Sequence, residues 1–106
     1  MGEIYSENSM YEDIDLNSLN ELSSALAEAD DPHLIKSFLR SLLTENEVKD
    51  ISSRWTLVRL IEKGISQRTI ARELGLSLCK ITRGSRELKR KNSPFAHMIR
   101  LYQQAR

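Results

Sequence analysis

The sequence is poor in the residues that interrupt helices or build disulfide and metal frameworks. Its 106 residues include one Cys, two Pro and four Gly, and only 6% are aromatic. A single Cys excludes a disulfide framework and a zinc site made of cysteines, and we expect no metal. The scarcity of turn-forming and aromatic residues disfavours a β-sandwich or barrel and favours helices.

Long apolar runs are also missing. No stretch approaches the roughly 18 consecutive apolar residues of a membrane span, so no membrane partner is expected. The first residues lack the basic-then-apolar layout of a secretory signal, which favours a cytoplasmic protein. Apolar residues make up 40% of the chain and charged residues 29%, a balance typical of one globular domain.

Charge is distributed unevenly, although the net charge is only +1. Residues 1–35 carry nine acidic side chains and no Lys or Arg, whereas residues 65–106 carry ten basic and two acidic side chains. This segregation is typical of a nucleic-acid surface on the basic part, although a solvated basic face would look the same. Residues 1–14 are acidic and aperiodic, which predicts a disordered or loosely attached arm before a domain at 15–106.

Helical periodicity predicts six helices and no strands, the first beginning at Asp15. The later helices have recognisable starts in Asp31-Pro32, Thr44, Ser66, Ser77 and Ser93-Pro94. Thr44 and Glu47 have the spacing of a capping box, in which each side chain reaches the other's backbone N–H. The first two helices carry five and six apolar residues in stripes. A chain of about 100 residues covers too little surface as a monomer, so these stripes favour a dimer over a compact monomer.

The stretch Gln67–Ser85 indicates a helix-turn-helix. Such a motif needs a small residue where its helices approach and a residue that reverses the backbone, and Ala71 and Gly75 meet these needs. Its apolar contacts to the body of the protein are predicted to come from Ile70, Leu74, Leu76 and Ile81. A plain helical hairpin is the alternative, but the basic outer face suits DNA phosphates.

The stretch Ile65–Lys89, ISQRTIARELGLSLCKITRGSRELK, resembles the DNA-reading head of the tryptophan repressor family. The most specific motif is Thr82-Arg83-Gly84-Ser85 followed by Glu87-Leu88-Lys89, and Leu42-Leu43-Thr44 and Arg54 also match. The resemblance covers residues 34–90. It implies an all-α, intertwined homodimer whose two reading heads lie about 34–36 Å apart on a palindromic operator of double-stranded DNA.

The resemblance also implies a repressor that L-tryptophan activates as corepressor, controlling genes of tryptophan biosynthesis or uptake. The implied ligand-binding residues are Arg54, Arg83, Thr44, Leu39, Gly84 and Glu87. Arg54 and Arg83 would sandwich the indole ring and hold the carboxylate, tasks that suit planar guanidinium groups. Leu39 and Thr44 would come from the partner chain, the backbone carbonyl of Thr44 being free for the ligand, and Gly84 would admit the ring closely.

From the residues alone, other roles remain open for these positions. Arg54 could be a surface ion-pair residue, Arg83 a phosphate contact and Gly84 a helix terminator. The residues expected to face DNA are Gln67, Arg68, Leu78, Cys79, Lys80, Thr82 and Arg86. Gln67 and Arg68 follow a helix cap, where backbone amides also attract phosphate. Cys79 is interpreted as a packing or groove-facing side chain, with a redox switch as the alternative.

Three departures from the family pattern bear on the ligand. The turn 64–66 is one residue shorter, Ser41 replaces a Leu of the pocket wall, and Glu87 replaces a Ser close to the ligand's amino group. Glu87 could pair with that ammonium or repel an acidic ligand. The alternatives are a regulator of the same fold with another effector or none, and a helical protein-interaction adaptor. No nucleophile–base pair or Gly-rich phosphate loop is found in the sequence, so we do not expect an enzyme.

Overall fold

A computed structural model describes the backbone of residues 7–105 and the side chains of residues 16–105. The described residues form six helices and no strand, which confirms the predicted all-α chain. The helices are α1 (Glu7–Glu28), α2 (Pro32–Leu42), α3 (Glu45–Glu62), α4 (Gln67–Leu74), α5 (Leu78–Lys89) and α6 (Pro94–Gln104).

The first helix differs from its predicted start. It begins at Glu7 and not at Asp15, because the acidic residues before Asp15 form helix without an apolar stripe that would reveal it. Of the arm predicted at residues 1–14, residues 1–6 lie outside the described residues, as do the side chains of residues 7–14. The loose attachment of this arm stays a prediction.

Local hydrogen bonds explain why the other helices start where the sequence predicts. The Thr44 hydroxyl accepts from the Glu47 backbone N–H at 3.1 Å, and a Glu47 carboxylate oxygen accepts from the Thr44 N–H at 2.8 Å. This reciprocal pair is a capping box. The same type of bond, from a backbone N–H to the oxygen of a capping side chain, starts the remaining helices at Asp31, Ser66, Ser77 and Ser93.

The chain divides into two compact units, Met1–Leu42 and Leu43–Arg106. In the first unit, none of the side chains from residue 16 onward is buried. Its large apolar side chains are exposed instead, at 65% for Leu16, 60% for Leu19, 57% for Leu34 and 50% for Leu42. The apolar stripes predicted for α1 and α2 therefore face solvent within a single chain.

The second unit contains the hydrophobic core. Its fully buried side chains come from four helices and are Leu57, Val58, Ile70, Ile81 and Ile99. Trp55 on α3 stacks on Phe95 of α6 with 5.7 Å between ring centroids, and its edge meets Tyr102 at 6.2 Å. Trp55 is thus a packing residue that holds α6 against α3, the structural role that the sequence favoured.

The helix-turn-helix is formed by α4, residues 75–77 and α5, with α5 also packed against α3. Gly75 ends α4 in the left-handed region at φ +63°, where a side chain is disfavoured. The backbone N–H groups of Gly75 and Leu76 both donate to the carbonyl of Ala71. The predicted reversal at Gly75 is therefore confirmed, and it directs α5 across α3 and α4.

Candidate ligand cleft and nucleic-acid interface

The contact between α3 and α5 depends on Gly84. Gly84 is buried in the middle of α5, and a Cβ built there would come within 3.2 Å of Leu57 and Val58 side-chain carbons. Gly84 therefore allows two helix backbones to approach closely, and its interpretation as a helix terminator is wrong. Its neighbour Arg83 is exposed on the same helix.

A cleft of about 170 Å³ opens beside this contact. Arg54 from α3 and Arg83 from α5 both line it, together with Gly84 and Glu87. Four of the six predicted ligand-binding residues are thus gathered around one cavity. Apolar side chains also line the cleft, namely Leu57, Val58, Leu76 and Phe95.

The charged residues of the cleft form two pairs with helical spacing. Asp50 and Arg54 are four residues apart on α3, and Arg83 and Glu87 are four residues apart on α5. This spacing brings both members of a pair to the same side of their helix. Lys49 and Lys80 add two further cations to the lining. The cleft therefore offers both signs of charge above an apolar surface.

The two arginines are uncommitted within the part of the chain that the structure describes, where neither forms an ion pair or a side-chain hydrogen bond. Glu87 behaves differently, because one of its carboxylate oxygens accepts from Arg90 Nη1 at 3.1 Å. Arg54 is therefore not engaged in the surface ion pair that its sequence position left open. Both guanidinium groups are available for a ligand.

The outward side of α5 carries most of the residues predicted to face DNA. A shallow groove there is lined by Leu78, Cys79, Thr82, Arg83, Arg86 and Glu87. Arg83 and Glu87 line this groove as well as the cleft. Gln67 and Arg68 are exposed in the first turn of α4. Lys80 is exposed but lines the cleft, so the structure associates it with the ligand side of α5 as well.

Leu39 and Thr44 are not among the residues that line the cleft. Leu39 is half-buried in the Met1–Leu42 unit, and Thr44 caps α3. The Thr44 carbonyl, which the sequence interpretation left free, accepts from the Val48 N–H at 2.9 Å. One lone pair of this oxygen is consequently occupied by the helix.

Sequence reasoning missed part of the cleft. Lys49, Asp50 and Ser53 on α3 and Phe95 on α6 line it without having been singled out as ligand-binding residues. The α3 residues precede Arg54 by five, four and one positions, and the four-residue spacing of Asp50 was a usable signal. The contribution of Phe95 depends on how α6 packs and could not be read from spacing.

Comparison with known proteins was made against this geometry. A protein-family model described as Trp repressor protein matches residues 17–103. The chain belongs to the Trp repressor family. This is a family of transcription regulators and not of enzymes, and its fold is an all-α helix-turn-helix. No solved structure gives a significant match to the chain.

Three bacterial relatives illustrate the similarity, and each is named Trp operon repressor homolog. The protein of Chlamydia trachomatis serovar L2 is 38% identical over 69 residues, covering 60% of this chain and 73% of the relative. That of Vibrio vulnificus YJ016 is 46% identical over 55 residues, covering 51% and 54%. That of Xylella fastidiosa M23 is 35% identical over 72 residues, covering 67% and 78%. The predicted membership of the Trp repressor family is thus confirmed.

The described residues were also searched for two other kinds of feature. No helix among them is long and apolar enough to cross a membrane. They contain no group of three or more His, Cys, Asp or Glu side chains arranged to hold a metal ion.

Proposed function

We propose that the protein is a cytoplasmic DNA-binding repressor that L-tryptophan activates, and that it controls genes of tryptophan biosynthesis or uptake. The observation that carries this proposal is the cleft shared by Arg54 and Arg83 on the inner side of the reading helix α5. Membership of the Trp repressor family supports the DNA-binding role. The names of the bacterial relatives support the link to tryptophan genes.

The lining of the cleft suits an amino acid with an aromatic side chain. Guanidinium groups stack on aromatic rings and hold carboxylates through two parallel hydrogen bonds, and Arg54 and Arg83 are both free to do so. Leu57, Val58 and Phe95 offer apolar surface for the ring. Gly84 presents bare backbone beside Arg83, which admits a flat ring closely.

The outer face of the helix-turn-helix suits the major groove of DNA. In this proposal α5 enters the groove with Leu78, Cys79 and Thr82 towards the bases. Gln67, Arg68, Lys80 and Arg86 contact or attract phosphates, which supply most of the affinity. All seven side chains are exposed, as such contacts require.

A homodimer completes the proposal. The exposed leucines of α1 and α2 are apolar surface that a second copy would cover by intertwining. A palindromic operator requires two reading heads related by two-fold symmetry, which a homodimer provides. Leu39 and Thr44 would then reach the ligand from the partner chain, since they do not line the cleft of their own chain.

Ligand and DNA are coupled in this proposal through residues that serve both surfaces. Arg83 and Glu87 line the cleft and the outer groove of α5. L-Tryptophan bound between α3 and α5 favours the head orientation that fits two successive major grooves. It can shift that population only by its difference in affinity for the two orientations.

Calorimetry with L-tryptophan tests the proposed ligand. We expect Arg54→Lys and Arg83→Lys each to weaken binding about tenfold, because lysine keeps the charge but loses stacking and bidentate geometry. Arg100→Lys on α6, outside the cleft lining, is the matched control and should bind as the parent protein does. No heat from the parent protein, together with DNA binding that ignores the ligand, would remove L-tryptophan from the proposal.

A regulator with another effector is the second candidate. It is favoured by the carboxylate of Glu87 in the cleft and by Ser41 in place of an apolar wall residue. Titration of the same protein with a panel of amino acids distinguishes the two. Tighter binding of any of them than of L-tryptophan would favour this second candidate.

A further inference from the structure

Glu87 differs from the other charged residues of the cleft in how it is held. One carboxylate oxygen accepts from Arg90 Nη1 at 3.1 Å, and Arg90 lies directly after α5 with its backbone N–H bonded to the Glu87 carbonyl. The other carboxylate oxygen has no partner among the described residues. The Glu87 side chain is 38% exposed, so it is partly removed from water. Glu87 is therefore oriented at one oxygen and free at the other.

Asp50 is the other carboxylate of the cleft and provides a comparison. It is exposed on α3 and, within the described part of the chain, has no hydrogen bond or ion pair that would fix its orientation. An exposed, unfixed carboxylate contributes little to binding a cation, because solvent screening and side-chain entropy offset the attraction. A partly buried, oriented carboxylate contributes more.

The cations of the cleft determine what the free oxygen of Glu87 can select. Arg54, Arg83, Lys49 and Lys80 give the lining a positive excess over Asp50 and Glu87. That excess attracts any carboxylic acid, with or without an amino group. Glu87 is four residues from Arg83 on the same helix, so a ligand carboxylate held by Arg83 brings its α-substituent near the Glu87 side chain.

We propose that Glu87 is a specificity-determining residue: its carboxylate accepts the ligand's ammonium group and selects α-amino acids over carboxylic acids that lack it. This inference rests on the proposed ligand cleft. Glu87 repels the carboxylate of a ligand that carries no compensating positive charge. The selected class is therefore a zwitterion with an apolar ring.

Calorimetry with three indole compounds tests the inference on the full-length protein. L-Tryptophan carries ammonium and carboxylate, indole-3-propionate lacks the ammonium, and tryptamine lacks the carboxylate. We expect the parent protein to bind L-tryptophan at least about tenfold more tightly than indole-3-propionate, the effect of one charge-assisted hydrogen bond. Tryptamine, which the arginines cannot hold by a carboxylate, is expected to bind more weakly than L-tryptophan.

The variant Glu87→Gln keeps the size of the side chain and removes its charge. We expect it to weaken L-tryptophan roughly ten- to hundredfold and to leave indole-3-propionate unchanged or tighter. Asp50→Asn removes one negative charge from the same cleft and is the matched control, with an expected change below about fivefold. Unchanged thermal unfolding of Glu87→Gln verifies that the fold persists.

The outcomes separate this inference from the function on which it rests. If the parent protein binds L-tryptophan but Glu87→Gln binds it equally well, or weakens both carboxylic ligands alike, the role of Glu87 is overturned and the ligand cleft stands. If the parent protein binds none of the three compounds, the proposed corepressor is overturned and the inference with it.

Discussion

Gly84 on α5 lies so close to Leu57 on α3 that a Cβ at position 84 would stand 3.2 Å from the Leu57 Cδ2 atom. The same distance separates it from a Val58 side-chain carbon. We expect Gly84→Val to destabilise the protein by about 1–3 kcal/mol, because a branched side chain must separate the two helices. Chemical denaturation measures this, and a Gly84→Val variant as stable as the parent protein would contradict the close approach.

The turn between α4 and α5 depends on the left-handed backbone of Gly75 at φ +63°. A Cβ there would meet no atom within 4 Å, so only backbone conformation opposes a side chain. We expect Gly75→Ala to cost about 1–2 kcal/mol of unfolding free energy. Gly75→Asn, whose side chain tolerates this conformation better, should cost less. Equal stability of the alanine and asparagine variants would argue against a conformational cause.

The exposed face of α2 allows a test of the dimer. Leu34 is 57% exposed in the single chain. In a monomer Leu34→Glu would be harmless, since it replaces an exposed apolar side chain with a charge. In the proposed dimer it would bury an unpaired carboxylate and weaken association by several kcal/mol. Sedimentation equilibrium measures the dissociation constant, with Ser37→Glu on the same helix as the control. A dimer that persists unchanged in Leu34→Glu would exclude this face as the interface.

Phosphate contacts predict how DNA affinity depends on salt. We expect Arg86→Gln to reduce the slope of log K against log salt concentration by about 0.9, the value for one lost contact with duplex DNA. Arg100→Gln on α6 removes the same charge outside the reading head and should change the slope less. Titrations of one duplex at several salt concentrations measure both slopes. Equal slopes for the two variants would show only an effect of net charge.

Most helix boundaries were predictable from the sequence because they depend on local hydrogen bonds. The capping oxygens of Thr44, Ser66 and Ser77 bond to N–H groups three residues away, so the interaction is written in the spacing. The start of α1 at Glu7 was not predictable, because residues 7–14 show no apolar stripe that would mark a helix.

The cleft was predictable only in part. Arg54 and Arg83 came from the resemblance to the Trp repressor family, since they stand 29 positions apart and no helical spacing relates them. Asp50 and Phe95 were missed because their place in the cleft depends on the packing of α3, α5 and α6. The role of Gly84 in that packing also required the distance between helices, which sequence periodicity does not contain.

The central claim is that a ligand between Arg54 and Arg83 controls DNA binding by α5. Fluorescence anisotropy tests it with a labelled duplex chosen by repeated selection from a random pool in the presence of L-tryptophan. At one fixed salt concentration, saturating L-tryptophan is predicted to tighten binding of that duplex by at least about tenfold, a typical allosteric coupling. Equal affinity with and without L-tryptophan, or no duplex retained by the selection, would contradict the claim.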